Sequence, residues 1–256
     1  MKRYAIVHKL DDLSLTIYNK LRKELDCIYT YDEEHPELVI SVGGDGSMLY
    51  SVHKYEHMLD EVSFIGLHSG TLGFLTDYQK EELDAFIEDL KTKEFEYYNR
   101  HLLQVKVGDD LYHALNEFRI ENNMRAQVLD VYIDDEYLET FRGNGLCIST
   151  ASGSTAYNKS LGGAILYSDA GMMQLSEIAG IHHNAYRSLG SSLVLDKKYT
   201  IRLESLDYKH AVIGIDHLVL DLKEHKSIEI KVASKTARFA QLKNVSLIER
   251  LKRAYL

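Results

Sequence analysis

Residues 38 to 42, "LVISV", are apolar at nearly every position and run straight into Gly43-Gly44-Asp45-Gly46. A run without alternation suits a strand covered on both faces, as in a parallel sheet, and such a sheet needs helices to cover it. The chain supplies them. Leu13, Ile17, Tyr18, Leu21 and Leu25 recur at helical spacing before the run. After it Met48, Leu49, Val52 and Leu59 share one side of a helix that Ser47 can cap. "YAIVH" and "SFIGL" read as further buried strands, and Leu83, Phe86, Ile87 and Leu90 mark another amphipathic helix. This alternation predicts a Rossmann-like open α/β layer over residues 1–99, with right-handed crossovers.

From residue 100 the rhythm changes to short strands with polar turns. "LLQVKVGDDLYHALNEF" predicts a hairpin turning at Gly108-Asp109-Asp110, and "QVLDVYIDDEYLETF" another turning at Asp134-Asp135. "LVLDKKYTIRLE", "VIGIDHLVLDL" and "SIEIKVASKTARFAQL" continue the pattern. Residues 100–240 are therefore expected to form a mainly antiparallel β-sandwich. Two helices are expected within it, through "TAYNKSLGGAIL" and "MMQLSEIAGI", and the chain closes on a helix within 241–256 that can pack back on the first domain.

Charge narrows the function. The formal net charge is −9, which repels a phosphodiester backbone, so no nucleic-acid partner is expected. No apolar run is long enough to cross a bilayer, the N-terminus lacks a signal-peptide pattern, and no membrane partner is expected. Cys27 and Cys147 share no short spacing; two unpaired thiols suit a reducing, cytoplasmic setting. His182-His183 is adjacent rather than spaced along one helix face, and no metal-ligand set is expected.

Three stretches carry candidate chemistry. Gly43-Gly44-Asp45-Gly46 follows a buried strand, at the sheet edge where open α/β folds bind ligands. It reads either as a tight strand-to-helix turn with Asp45 as a cap, or as a phosphate cradle of exposed N–H groups. The P-loop, G-x-G-x-x-G, H-E-x-x-H and G-x-S-x-G patterns are all missing. Ser149, Thr150, Ser152, Ser154, Thr155 and Ser160, with Tyr157, Asn158 and Lys159, form a second stretch rich in hydrogen-bonding groups. It suits an anion or a ribose, or a loop that caps a helix through Ser154 or Thr155. Asn116-Glu117, expected at a strand end, sets an amide beside a carboxylate.

In this order "VGGDGS", "GLHSGTLGFL", "ALNE" and "STASGSTAYNKSLGG" resemble the NAD kinase family, over nearly the whole chain and in its bacterial Gram-positive type. The resemblance implies an α/β domain and a β-rich domain that bind the dinucleotide between them. It implies transfer of phosphate from ATP, or inorganic polyphosphate, to the 2′-hydroxyl of the adenosine ribose of NAD, with a divalent cation (Mg2+) accompanying ATP. Carried over by position, Asp45 is the general base and Gly46 its neighbour at the substrate. Phe74 packs near the adenine, and Asn116 and Glu117 hold the adenosine ribose hydroxyls. Ser152 and Thr155, Ala156, Tyr157, Asn158, Lys159 and Ser160 grip the nicotinamide half and the diphosphate. Arg142 and Asn144 belong to a further motif, and Ala179, Ile181 and His217 line the remainder. A homodimer or homotetramer is implied.

Three motifs depart from the family pattern. Asn144 stands in Arg142-Gly143-Asn144-Gly145 where many members have aspartate, which removes a charge. Lys159, Leu161 and Ala164 replace the usual residues of the serine-rich motif, and Ser47 replaces a frequent threonine. Two rival readings share the glycine turn. One is a lipid kinase of the diacylglycerol or sphingosine type, against which the polar 149–160 stretch argues. The other is a dinucleotide sensor without catalysis, against which Asp45 argues.

Overall fold

A computed structural model of the chain describes residues 2–70, 73–167, 170–221 and 227–256. Thr71 and Leu72 of the second motif, and Leu222 at the end of one expected strand, lie outside the described residues. The chain forms two compact units, Met1–Arg100 with Thr236–Leu256, and His101–Lys235.

In the first unit β1 (Arg3–His8), α1 (Asp12–Leu25), β2 (Thr30–Tyr31), β3 (Leu38–Gly43), α2 (Asp45–Lys54), β4 (Ser63–His68), β5 (Tyr78–Gln79) and α3 (Leu83–Thr92) follow in order. The strands are parallel: β1 lies between β2 and β3, and β4 between β3 and β5. Every residue of β3 and β4 is buried, as the apolar runs require. Helix α1 begins where Asp11 accepts the Ser14 N–H, and it buries Ile17, Leu21 and Leu25 against Ile40, Leu67 and Phe86.

Ser47 does not cap α2. The helix opens two residues earlier, at Asp45, with Gly44 in the cap position, and it ends at Lys54, so Leu59 lies beyond it. The glycines let the chain turn directly from strand to helix, which leaves Ser47 inside the first turn.

The second unit holds most of β6 (Glu96–Val107), then β7 (Asp110–Ala114), β8 (Glu117–Glu121), β9 (Gln127–Ile133), β10 (Glu136–Thr150), the short α4 (Tyr157–Ser160), β11 (Met172–Gly180), β12 (Leu193–Asp196), β13 (Thr200–Glu204), β14 (Val212–Ile215) and β15 (Leu218–Asp221). Strand β16 (Ser227–Gln241) starts here and carries the chain back into the first unit, where α5 (Leu247–Tyr255) closes it. The pairings inside this unit are antiparallel. The two expected hairpins form: Val107 pairs with Asp110, and Ile133 with Glu136. Asp134 and Asp135 both have positive φ (47° and 67°), the backbone that a two-residue turn of matching twist demands.

Met172–Gly180 is a strand, not the expected helix. Its Met, Gln, Leu and Glu favour helix in isolation, yet β10 and β12 pair with it on both sides. Tertiary pairing outweighs local propensity here. Of "TAYNKSLGGAIL" only Tyr157–Ser160 is α-helical, and Thr155 ends a short 3-10 turn before it; Gly162, at φ +81°, follows its end.

Candidate active site

In the first unit the site is built on the end of β3. Asp45 opens α2, but its carboxylate does not cap that helix; it reaches the segment after β4. Oδ2 accepts the Phe74 N–H at 2.8 Å and Oδ1 accepts the Leu75 N–H at 2.9 Å. Gly73 leaves room for this: a Cβ there would stand 2.1 Å from Asp45 Oδ1. The first N–H groups of α2 take no side-chain cap among the described residues, so they can meet an external anion.

The segment that holds Asp45 is itself held by α5. The Arg250 guanidinium donates to the carbonyls of Phe74 and Thr76, each at 3.2 Å, and forms an ion pair with Asp77. Both charged residues are buried. The ring of Phe74, which the resemblance assigns to the adenine, lies 5.3 Å from that of Tyr255 between centroids. His68 ends β4 and is buried beside Gly44.

In the second unit Asn116 and Glu117 sit at the start of β8 rather than at the end of a strand. The Asp216 carboxylate, buried in the turn after β14, fixes their backbone. It accepts the N–H groups of Leu115 at 2.7 Å, Asn116 at 2.8 Å and Glu117 at 3.1 Å, while the Asp216 N–H donates to the Glu117 carbonyl at 3.0 Å. With the backbone so held, Asn116 Oδ1 and Glu117 Oε2 are buried without a hydrogen-bond partner. Burial and the nearby Asp216 charge raise the Glu117 pKa to about 7, against the pull of Arg119, whose Nη1 lies 3.5 Å from Oε1. An unpaired buried carboxylate oxygen is costly, and a ligand donor would relieve it.

The serine-rich loop joins this pair through Thr150. Its N–H donates to the Asn116 carbonyl at 2.8 Å, and its Oγ1 accepts the Gly153 N–H at 3.0 Å. Tyr157 donates to Glu121 at 2.9 Å, which links α4 to β8. Asn158 is fully buried and accepts from Ser176, leaving its Nδ2 unpartnered. Thr155 donates to the Ser152 carbonyl, Ala156 is half-buried, and Lys159 and Ser160 are exposed.

Arg142, Asn144, Ala179 and Ile181 lie further along β10 and β11 from Asn116 and Glu117, toward the stretch where Tyr157 reaches Glu121, the pairing partner of Gly145. They cluster where β10 pairs with the end of β11, while Ser149 of β10 faces Glu117. Ser149 lies seven positions along β10 from Arg142, roughly 23 Å of extended strand. There the Arg142 guanidinium stacks 4.5 Å from the Tyr186 ring centroid, and Asn144 donates to the Asn122 carbonyl at 3.2 Å. Ala179 has φ +46°, and Ile181 is exposed. His217 directly follows Asp216.

A chain with a parallel α/β unit, a glycine turn open to anions and a β-rich unit with unpaired ribose-type acceptors has the parts of a nucleotide-binding kinase. Two solved structures share the fold. Yeast NADH kinase complexed with NADH matches at a TM-score of 0.85 and 19% identity, over 99% of this chain and 87% of that one. An NAD kinase from Archaeoglobus fulgidus in complex with ATP matches at 0.80 and 20%, over 98% and 99%. Residues 115–242 match the model of the ATP-NAD kinase C-terminal domain. NAD kinase of Geobacillus stearothermophilus is 40% identical over 99% of this chain and 96% of its own length. NAD kinase 1 of Oceanobacillus iheyensis is 41% identical over 99% and 98%. The chain belongs to the NAD kinase family.

Proposed function

We propose that the protein transfers the terminal phosphoryl group of ATP, or of inorganic polyphosphate, to the 2′-hydroxyl of the adenosine ribose of NAD, forming NADP, with Asp45 as general base. Membership of the family supports the reaction. The observation that carries the assignment of residues is the pair of buried, unpartnered acceptors, Asn116 Oδ1 and Glu117 Oε2. Ribose hydroxyls are donors of the kind these atoms lack, and a substrate without them would leave the acceptors unpaired.

The 2′-oxygen forms a bond to the donor's terminal phosphorus. The bond from that phosphorus to its bridging oxygen breaks, and the electron pair leaves on ADP or on the shortened polyphosphate. The hydroxyl proton passes to Asp45, whose oxygens each keep a lone pair beyond the Phe74 and Leu75 N–H bonds. Positioning matters most in a loose phosphoryl transfer, and those two bonds supply it by fixing the carboxylate's rotamer. Gly46 lies beside Asp45 at the substrate, and the N–H groups of the glycine turn receive the donor phosphates.

Among the described residues no group of three or more His, Cys, Asp or Glu side chains could hold a metal ion. Asp45 alone in its turn suits a hydrated divalent cation borne on ATP, not a protein cage. Bound so, Mg2+ would neutralise charge on the transferring phosphates. Phe74 packs near the adenine, and Ser152 with Thr155 to Ser160 hold the nicotinamide half and the diphosphate. Arg142, Asn144, Ala179, Ile181 and His217 complete the dinucleotide contacts.

We assign the protein to the cytoplasm as a homodimer or homotetramer. No described helix is long and apolar enough to cross a membrane, and both cysteines are free. The test is NADP formation from NAD and Mg2+, with ATP and polyphosphate in parallel and a lipid emulsion as rival acceptor. NADP with either donor is expected. Phosphorylated lipid without NADP, or tight NAD binding without product, overturns the reading.

A further inference from the structure

We propose that His68 is a further catalytic residue, whose Nε2–H donates a hydrogen bond to the transferring phosphoryl group of the donor. The inference rests on the reading that the Gly43–Gly46 turn receives the donor's phosphates.

His68 is the last residue of β4 and lies opposite Gly43 in the parallel register. It is 8% exposed. Its Nδ1 accepts the Gly70 N–H at 2.9 Å, so that nitrogen carries no proton and a neutral ring bears its proton on Nε2. Among the described residues Nε2 has no hydrogen-bond partner, and the residue as a whole is more than nine-tenths buried. A ring donor left open in so enclosed a place can serve an acceptor that arrives with a ligand.

The place it faces indicates which acceptor. Nε2 lies 3.2 Å from where a Cβ of Gly44 would stand, so it points at the start of α2, where the helix N–H groups take no side-chain cap. A Cβ at that position would sit tight against the ring. Backbone N–H groups, the helix dipole and a ring N–H thus all lie at the start of α2, and an oxyanion is the acceptor that would suit them together. Burial holds the ring's pKa below its ordinary value, partly opposed by the Asp45 charge, and this favours the neutral form. A neutral ring donates through Nε2 and keeps its proton throughout the transfer; the hydroxyl proton goes to Asp45.

The test compares His68→Phe, which keeps the ring's bulk without a donor, with His68→Gln, whose amide reaches the Nε2 position. Loss of one donor to a developing phosphoryl charge should lower kcat roughly 10- to 100-fold in His68→Phe. His68→Gln should keep most of the rate. The KM for NAD and the calorimetric NAD affinity should stay unchanged in both, which a collapse of the turn would not allow. Unchanged donor kinetics in His68→Phe, equal losses in the two variants, or a parallel loss of NAD affinity overturns the proposal. NADP formation by the parent protein is read first, so failure of the kinase reading is seen separately. A second readout needs no variant: in protein labelled with 15N-histidine, His68 should show the Nε2–H tautomer, and its Nε2 signal should shift when a non-hydrolysable ATP analogue with Mg2+ is added. An Nδ1–H tautomer, or no shift on saturation, contradicts it.

Discussion

In Glu117→Gln the buried carboxylate at the start of β8 becomes a neutral amide of the same shape. The native carboxyl has its pKa raised from an ordinary 4.5 to about 7, first by burial and then by the Asp216 charge. A raised acid binds a proton in the folded state that the unfolded chain has already released. Stability is therefore complete below about pH 4.5 and falls as pH rises through 7. A shift of this size corresponds to about 3 kcal/mol, lost in full above pH 7. The glutamine variant carries no such loss. Its stability relative to the parent should thus grow by about 3 kcal/mol between about pH 4.5 and 8.5, a difference in which the titrating groups remote from Glu117 cancel. Urea titrations at matched protein concentration, followed by the fluorescence of the eighteen tyrosines in a chain without tryptophan, measure it. The same variant should bind NAD roughly 10- to 100-fold more weakly, because a neutral acceptor replaces a charged one. A stability difference that is flat with pH, or that grows in the parent's favour, would refute the argument that this carboxylate is stored at a cost for its ligand.

Two further substitutions probe how Asp45 is held. Gly73→Ala places a Cβ into the carboxylate's position, so NADP formation should fall at least 10-fold while circular dichroism stays native; a variant with full turnover removes the need for this rotamer. Arg250→Met leaves Asp77 buried without its partner and takes a donor from each of the Phe74 and Thr76 carbonyls, of which Phe74 keeps the one from Arg100. It should cost roughly 3 to 5 kcal/mol in chemical denaturation, and a loss below about 1 kcal/mol, the scale of a surface pair, would show the contact to be peripheral.

The parallel layer was legible because the runs at 38–42 and 63–67 have no alternation, and the strands they form are buried throughout. The hairpins were legible because Gly108-Asp109 and Asp134-Asp135 carry turn chemistry that acts locally. Local signals misled where the partner was remote. Met172 to Gly180 looks helical until β10 and β12 flank it. Ser47 looks like a cap until the glycines start the helix at Asp45. Asp45, Asn116 and Glu117 could be singled out from their motifs, but not the groups that fix them. Asp216 is a hundred residues from Asn116, and Arg250 lies 173 from Asp77. No spacing rule spans such separations; only the folded chain brings them together. His68 was in view within "GLHSG", yet its free nitrogen appears only once Gly70 occupies the other one.

The most direct test of the central claim is Asp45→Asn, assayed for NADP formation with ATP and Mg2+ beside calorimetric NAD binding. The amide fills the same space but cannot take the hydroxyl proton. Turnover should fall by roughly 10²- to 10⁴-fold with NAD affinity retained. Turnover equal to the parent's would contradict the assignment of Asp45 as the base.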